Sequence, residues 1–447
     1  MVLDDIEKII KQDALTPWKL DANTALEYYD GRHDILNSRI YYFDEDGELM
    51  EDTYRSNLKI THQFFTELVD QQVQFMLSGD KPVFIAEDQD LQAALNFYFA
   101  ENFKDALYDL IEGAIIKGRE YLSIYRDAAG RLRFDTTDSR SVIEFEADGA
   151  PAALIVTPTP GGTKRVELWT AETVSYYVMN KNGRLEAVEE GRAHIRMADG
   201  SGRGYGRIPL FRLQNDKENR GLLPRVKSLI DDYDLMACGL SNNLSDADFP
   251  LYVVKNPAGN KADREKLVNN IKQQRQVGVK GDGDVQIKTV DIPYEARKTK
   301  LELDEKNIYR FGMGLNVNRI NDGHTTNVAI KAHYSLLEMK CKKLEIKLRA
   351  LLAELLALVM PEINGFLHTN YKAEDVTIDL SRKMMVNEKD QAETRKTEAE
   401  TQAAYISTML SLDERLPADV IMQKICETLD IQWTDVREYV EGGGVYE

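Results

Sequence analysis

The chain has 447 residues, 43% hydrophobic, 30% charged and 9% aromatic, with a formal net charge of −18. That length accommodates two to four domains and a substantial core. The acidity argues against a conventional DNA-binding module, which carries a basic footprint.

Residues 1–86 read as helical with interruptions. The opening MVLDDIEKIIKQD is acidic and amphipathic, unlike a secretory signal, and no uninterrupted apolar run anywhere approaches the roughly 20 residues that cross a bilayer. Leu26–Tyr41 carries Tyr28, Tyr29 and His33, with a break at Gly31. Phe43 to Glu48 looks like half a calcium loop, but the remaining ligands are missing, so an acidic turn is the better reading. Lys59–Leu77 is an amphipathic helix with Ile60, Phe64, Leu68, Val73 and Met76 inward, closed by Ser78-Gly79. Leu91–Gly118 is helical again.

The period then switches to two. Tyr121–Arg126 and Leu132–Thr136 form a hairpin, followed by strands at Val142–Glu146, Ala153–Thr157, Val166–Thr170, Val174–Met179 and Leu185–Val188. Lys181-Asn182-Gly183 is the strongest turn signal. This mixed region ends near Gly206. A strand at Ile208–Leu213 enters a polar turn at 215–219, and Pro224 then suits the first turn of a helix. Val226, Leu229, Ile230, Tyr233, Met236, Ala237, Leu240 and Leu244 give that helix one apolar face. Lys227, Asp231, Asp234, Ser241, Asn242 and Ser245 fall on the other, a solvated or subunit-facing stripe.

Past Pro250, Leu251–Val254 is a strand and Lys261–Gln274 a charged helix. Gln276–Lys280 and Val285–Val290 pair across Gly281-Asp282-Gly283-Asp284, a tight hairpin that needs no metal. Glu295–Leu315 is a second long helix, so helix, small module and returning helix form a stalk with a knob. Leu315–Asn327 is a loop by composition. Val328–Val359 is the longest helical pattern; its Lys331, Lys340, Lys342, Lys343, Lys347 and Arg349 form a basic face, solvated against acidic neighbours or in contact with DNA, and Pro361 ends it. Val376–Leu380 is a strand; Glu388–Leu410, Leu416–Leu429 and Thr434–Val440 are helices before a frayed tail. Cys238, Cys341 and Cys426 lie far apart within helical patterns, as reduced structural thiols do.

There is no phosphate-binding loop, no nucleophile elbow and no zinc-protease motif. Gly312-Met313-Gly314 sits at a helix end and lacks a third glycine. Asp231, Asp232 and Asp234 raise the possibility of a two-metal nuclease, but no histidine or glutamate accompanies them at ligand spacing.

The succession Ile208-Pro209-Leu210, Gln214-Asn215-Asp216, Leu229 to Asp234, Asn242 to Asp246 and Glu305 to Gly312 resembles the portal proteins of tailed bacteriophages. The nearest type is the SPP1-like family of siphophages with Gram-positive hosts. Tyr28-Tyr29 with Gly31, His33 and Ile35, then Asn57 to Thr61, His324 to Lys331 and Met385 to Lys389, fit the same family.

The resemblance implies an α+β portal fold: an α/β wing, two long stem helices, a small α/β clip, a tunnel loop and a helical crown. It places the wing at 1–223 and the first stem helix at 224–248, with Lys227, Asp231 and Asp234. The clip is 249–293, with Lys261, Arg264, Lys266, Lys280, Asp282 and Asp284 towards the packaging motor. The second stem helix is 294–315, with Lys298, Lys300, Glu305, Lys306 and Arg310. Tunnel-loop residues 316–327 would line the DNA channel through Asn316, Asn318, Arg319, Asn321, Asp322, His324, Thr325, Thr326 and Asn327. Residues 328–372 form the helix towards the crown, and 373–447 the crown and tail. The implied partners are further copies of the chain, typically twelve in a ring, and double-stranded DNA passing without sequence preference. Terminase large subunit, major capsid and scaffolding proteins and a head-completion adaptor complete the set. No catalytic residue, cofactor, metal or membrane is implied, and the location is the capsid vertex of a virion assembled in the host cytoplasm. A metal-dependent nuclease centred on Asp231 and Asp234, and a virion scaffold or adaptor without a channel, are the other readings.

Overall fold

The computed structural model describes residues 3–14, 16–44, 46–53, 55–127, 130–196, 200–247, 251–255, 284–288, 293–316, 327–383, 388–412, 416–429 and 431–433. The chain divides into two compact units, Met1–Asn316 with Leu336–Lys383 and Val317–Ser335 with Met384–Glu447.

In the first unit, α1 (Leu3–Asp13) starts on Asp4 and Asp5 and ends on Lys11, the charge order that suits a helix dipole. Its Ile6 and Ile10, one turn apart, pack on Leu154, Val166, Tyr177, Met179 and Leu185. α2 (Pro17–Tyr29) has proline in its first turn. The chain then leaves helix, contrary to the expectation for residues 30–63. A 3-10 turn at Asp34–Asn37 leads into a hairpin, β1 (Tyr41–Phe43) with β2 (Leu49–Glu51). The Asp44 carboxylate of the calcium-like segment accepts the Asp46 and Glu48 amides at 3.0 and 2.8 Å, closing the hairpin turn.

α3 (Phe64–Met76) starts five residues later than expected. Residues 58–60 are drawn out instead: the Leu58 amide donates to Asn242 Oδ1 at 2.6 Å, and the Ile60 amide to Cys238 Sγ at 3.2 Å. Ile60 is consequently exposed, while Leu68, Val73 and Met76 are buried as the helical period requires. β3 (Phe84–Ala86) precedes α4 (Gln89–Tyr98), whose N-cap Asp88 accepts the Asp90 and Leu91 amides. α5 (Glu101–Lys117) follows. It ends on Gly118 at φ +92, where a Cβ would stand 2.0 Å from the Asn219 carbonyl oxygen. Left-handed geometry and that close approach both require glycine.

β4 (Arg119–Arg126) lies between β5 (Leu132–Thr137) and a later strand, and β6 (Val142–Ala147), β7 (Ala150–Pro158), β8 (Lys164–Trp169), β9 (Thr173–Met179) and β10 (Leu185–Ala193) form an antiparallel meander in sequence order. This is the period-two region read from the sequence. Two further short strands, β11 (Ile195–Arg196) and β12 (Gly202–Arg203), pair with each other, and β13 (Leu210–Gln214) completes the β4 sheet. Phe84, Phe99, Phe103 and Phe134 interlock with ring centroids 4.3 to 5.9 Å apart beneath that sheet.

Next come α6 (Lys227–Ala247), β14 (Leu251–Lys255), β15 (Asp284–Lys288) and α7 (Tyr294–Gly312). β14 pairs antiparallel with β15. The expected partner strand at Gln276–Lys280 and the expected helix at Lys261–Gln274 lie outside the described residues. The helix α8 (Asn327–Leu367) then runs through Pro361 instead of stopping there. Tertiary contacts hold the turn beyond the proline: Ile363 is fully buried, and Glu362 accepts Tyr98 Oη at 3.0 Å and the Arg126 guanidinium. Residues Tyr334–Leu367 are long and apolar enough, by length and composition, to cross a membrane. Counting uninterrupted runs overlooks this stretch because isolated charges punctuate it. Leu344, Leu348, Leu352, Leu355, Val359 and Ile363 are buried, so the protein interior takes up that apolar face. β16 (Val376–Ile378) pairs with β3, which joins this strand to the first unit.

In the second unit, α9 (Glu388–Leu410) and α10 (Ala418–Thr428) form a helical hairpin, with Ile421, Ile425 and Cys426 buried on α10. Thr434–Val440 lies outside the described residues. All three cysteines are free and buried.

Candidate functional site

The long helices α6 and α7 pack antiparallel, as the paired positions Asp232–Lys300 and Gly239–Arg297 show. The Lys300 ammonium bridges Asp232 on α6 to Asp304 on its own helix. Around Tyr233 and Tyr309 an aromatic chain joins both helices to α3. The Tyr233 ring meets His62 and Phe64 edge-on at 4.7 and 4.8 Å, and Phe64 meets Tyr309 at 6.0 Å. Tyr309 Oη donates to Glu67 Oε2 at 2.6 Å. Burial and that carboxylate hold the Tyr309 phenol well above its ordinary range. Gln71 clamps the backbone after α7, its amide donating to the Leu315 carbonyl and accepting the Leu315 amide, both at 2.8 Å.

Asp234 is the hub of this junction and is 0% exposed. Its carboxylate accepts His33 Nδ1 at 2.6 Å, His62 Nδ1 at 2.7 Å and the His62 amide at 3.0 Å. His33 Nε2 lies 3.2 Å from the Tyr28 carbonyl oxygen. Both His33 nitrogens thus face oxygen atoms, one of a carboxylate and one of a backbone carbonyl. The Tyr28 ring stacks on His33 at 4.5 Å. Burial opposes ionisation of Asp234, but the hydrogen bonds from His33 and His62 outweigh it and hold the carboxyl below its ordinary value. One turn earlier, Asp231 accepts Tyr28 Oη and pairs with Lys227, which also reaches Asp34.

Asp231 and Asp234 of the polar stripe are therefore not a solvated face. They are tied to the N-terminal region, because Tyr28, His33 and His62, 172 to 203 residues away in sequence, supply their partners. This corrects the reading of Asp234 as surface-facing. It also accounts for the carboxylates without a metal: their oxygens are taken by hydrogen bonds, and no cluster able to hold a metal occurs among the described residues. At the other end of α6, Leu244 is 53% exposed although the helical period assigns it to the apolar face.

On α7, Lys298, Lys306 and Arg310 are exposed, while Glu305 is half-buried and accepts Asn316 Nδ2 at 2.9 Å. Asn318, Arg319, Asn321, Asp322, His324, Thr325 and Thr326 lie outside the described residues, and Asn327 opens α8. In the knob, Asp284 is exposed and pairs with Lys255 at 3.8 Å. Lys261, Arg264, Lys266, Lys280 and Asp282 lie outside the described residues.

The basic face of α8 is only partly solvated. Lys342 and Lys343 are exposed, but Lys340 turns inward and donates to the Gly312 carbonyl at 3.0 Å, the last carbonyl of α7. Burial pushes its ammonium down to about 7. Arg382, 7% exposed, bridges Glu338 at 2.7 Å and Glu345 on α8, and lies over the Phe75 ring. Sequence reading missed Arg382 altogether, because nothing local marks a lone arginine after a strand as an anchor.

A family model described as "Phage portal protein, SPP1 Gp6-like" matches residues 10–413. The chain belongs to this family. The portal protein of Bacillus phage SPP1 is 25% identical over 340 residues, 73% of this chain and 67% of that protein. The portal protein of Clostridium phage phiCD119 is 23% identical over 419 residues, covering 88% and 89% of the two chains. A chain from the virion of a native gene transfer agent particle is similar at 14% identity, with a TM-score of 0.40 over 76% of this chain and 86% of that one. Portal proteins are a structural, non-enzymatic class of the phage virion, and nothing found favours a nuclease or a channel-free scaffold. In this portal protein the residues Tyr28 and His33, part of the motif on which the resemblance rests, act as the anchor of α6.

The glycines of Gly312-Met313-Gly314 serve packing. A Cβ on Gly314 would stand 2.2 Å from Leu68 Cδ2 on α3. Gly314→Ala is expected to cost about 1–3 kcal/mol by overpacking. Leu68→Ala in the same chain should recover part of that loss, so a double-mutant cycle in urea reads a coupling of opposite sign to the single losses. Simple additivity would contradict the contact.

Proposed function

We propose that the chain closes head-to-tail into a ring of about twelve identical copies at one capsid vertex, and that double-stranded DNA passes through its bore during packaging and ejection. The observation that carries this reading is the family match across residues 10–413. The antiparallel pair α6 and α7, leading out to β14 and β15 and back, suits a stem with a clip at its tip. In this reading the clip meets the terminase large subunit, the crown faces the capsid interior with its major capsid and scaffolding proteins, and a head-completion adaptor seats on the assembled ring. Residues 316–327 line the bore, where Arg319 repeated around the ring forms a collar of charge. Its contact with phosphates is electrostatic and blind to sequence. The portal itself hydrolyses nothing; force comes from the separate motor, and assembly takes place in the host cytoplasm.

Replacing 317–326 with a short glycine linker tests the bore assignment. Rings are expected to form as before, while DNA protected from nuclease per assembled particle falls. Normal packaging by this variant would remove the loop from the mechanism.

A further inference from the structure

The hairpin β1–β2 is exposed at all six of its paired positions. Phe43 is 72% exposed, Leu49 59% and Tyr41 52%, beside Tyr42 and Met50. An isolated two-stranded hairpin is marginal in water, yet this one is held in shape. Asp44 closes its turn, and Arg39 Nη1 meets both Glu51 carboxylate oxygens at 2.8 and 2.9 Å. Its flanks are rooted on the first stem helix. Lys59 Nζ reaches the Leu36 carbonyl at 2.9 Å, and Leu58 and Ile60 bond Asn242 and Cys238. The result is an ordered arm with an uncovered apolar surface, rimmed by Asp46, Glu48 and Glu51. Apolar surface of this kind marks an interaction site.

The second stem helix carries a surface of matching character. Leu303, Lys306 and Arg310 fall on one face of α7, with Phe311 about 100° round the helix from Arg310, and all four are exposed. This stripe is apolar and basic where the arm is apolar and acidic. A head-to-tail ring needs two different patches on every copy, one that gives and one that receives. We infer that the β1–β2 arm of one copy docks on the Leu303–Phe311 stripe of its neighbour. The inference rests on the ring reading above and names the contact that sets its register. The occupant is a second copy because this chain supplies both halves, with opposite charge to fix their alignment.

The test uses the full-length protein carrying Phe43→Cys and Phe311→Cys together, oxidised after assembly and run on a non-reducing denaturing gel. The native thiols are buried, and each single variant serves as a control. A ladder of covalent multimers from the double variant alone is the expected result. A faster-migrating monomer, which an internal crosslink produces, would overturn the docking between copies. So would the absence of crosslinks in particles that electron microscopy shows to be rings. Failure of the unmodified protein to form rings would instead overturn the reading beneath it. A second pair of variants avoids reliance on thiols. Lys306→Glu with Arg310→Glu should raise the concentration needed for assembly about tenfold or more, equivalent to about 1.4 kcal/mol. Asp46→Lys with Glu48→Lys should restore it. No change on the first reversal, or no restoration by the second, contradicts the contact.

Discussion

Asp234→Ala is expected to lower unfolding stability by about 3–5 kcal/mol, because it leaves three donors without their acceptor at about 1–3 kcal/mol each. The carboxylate is wholly inaccessible and accepts three hydrogen bonds. Its loss leaves His33, His62 and a backbone amide without their acceptor. Asp234→Asn should fall between, since an amide keeps the shape but can accept through only one atom. The sign of the pH dependence follows from the direction of the shift. Asp234 ionises more readily in the folded chain than in the unfolded one. Its contribution is therefore complete above the ordinary carboxylate value and is lost as pH falls through the depressed folded value. The alanine variant should lose that part of its acid sensitivity. A urea titration at neutral pH and another near pH 3 measure both effects. An unchanged midpoint at neutral pH would show that the junction of α6 with the wing is held by apolar packing alone.

Arg382→Met should be nearly as damaging, again by about 3–5 kcal/mol. The guanidinium is almost fully buried between Glu338 and Glu345, while Arg349 reaches Glu345 from the same helix and the Ile378 carbonyl at 2.7 Å. Methionine keeps the stem of the side chain over Phe75 but leaves two carboxylates facing each other. The segment 376–383 should then loosen from α8 before the rest of the unit unfolds, because apart from this clamp it is held by one short strand pair, the Arg349 bond to Ile378, the amides of Asp379 and Lys383 on Val83 and Ser78, and the ion pairs Lys81–Asp379 and Lys383–Asp80. Amide exchange reads that directly: faster exchange at 376–383, with protection in β6–β9 unchanged. Equal acceleration everywhere would mean that the clamp belongs to the global core.

The elements most legible in the sequence were those whose own pattern decides them. The β6–β10 meander follows alternation, and α6 and α7 follow a helical period unbroken by proline. The polar partners were not legible. Periodicity places Asp231 and Asp234 on one side of α6, but whether that side meets water depends on Tyr28, His33 and His62, which arrive from the N-terminal region through the fold. The β1–β2 arm was hidden for a related reason: its pairing is fixed by the turn at Asp44 and by Arg39–Glu51, while its aromatic residues suggest core. At Pro361 a strong local rule failed because Glu362 and Ile363 find tertiary partners that hold the next turn. The three cysteines behaved as local chemistry demands, whereas at the end of α7 the left-handed position is Met313 and the flanking glycines answer to Leu68 on α3.

Electron microscopy of the purified full-length protein, with class averages viewed down the particle axis, shows whether copies of the chain close into a ring around an open axis. Closed rings of about a dozen subunits around an empty centre are expected. Monomers, dimers or open filaments at every concentration and ionic strength would contradict ring closure.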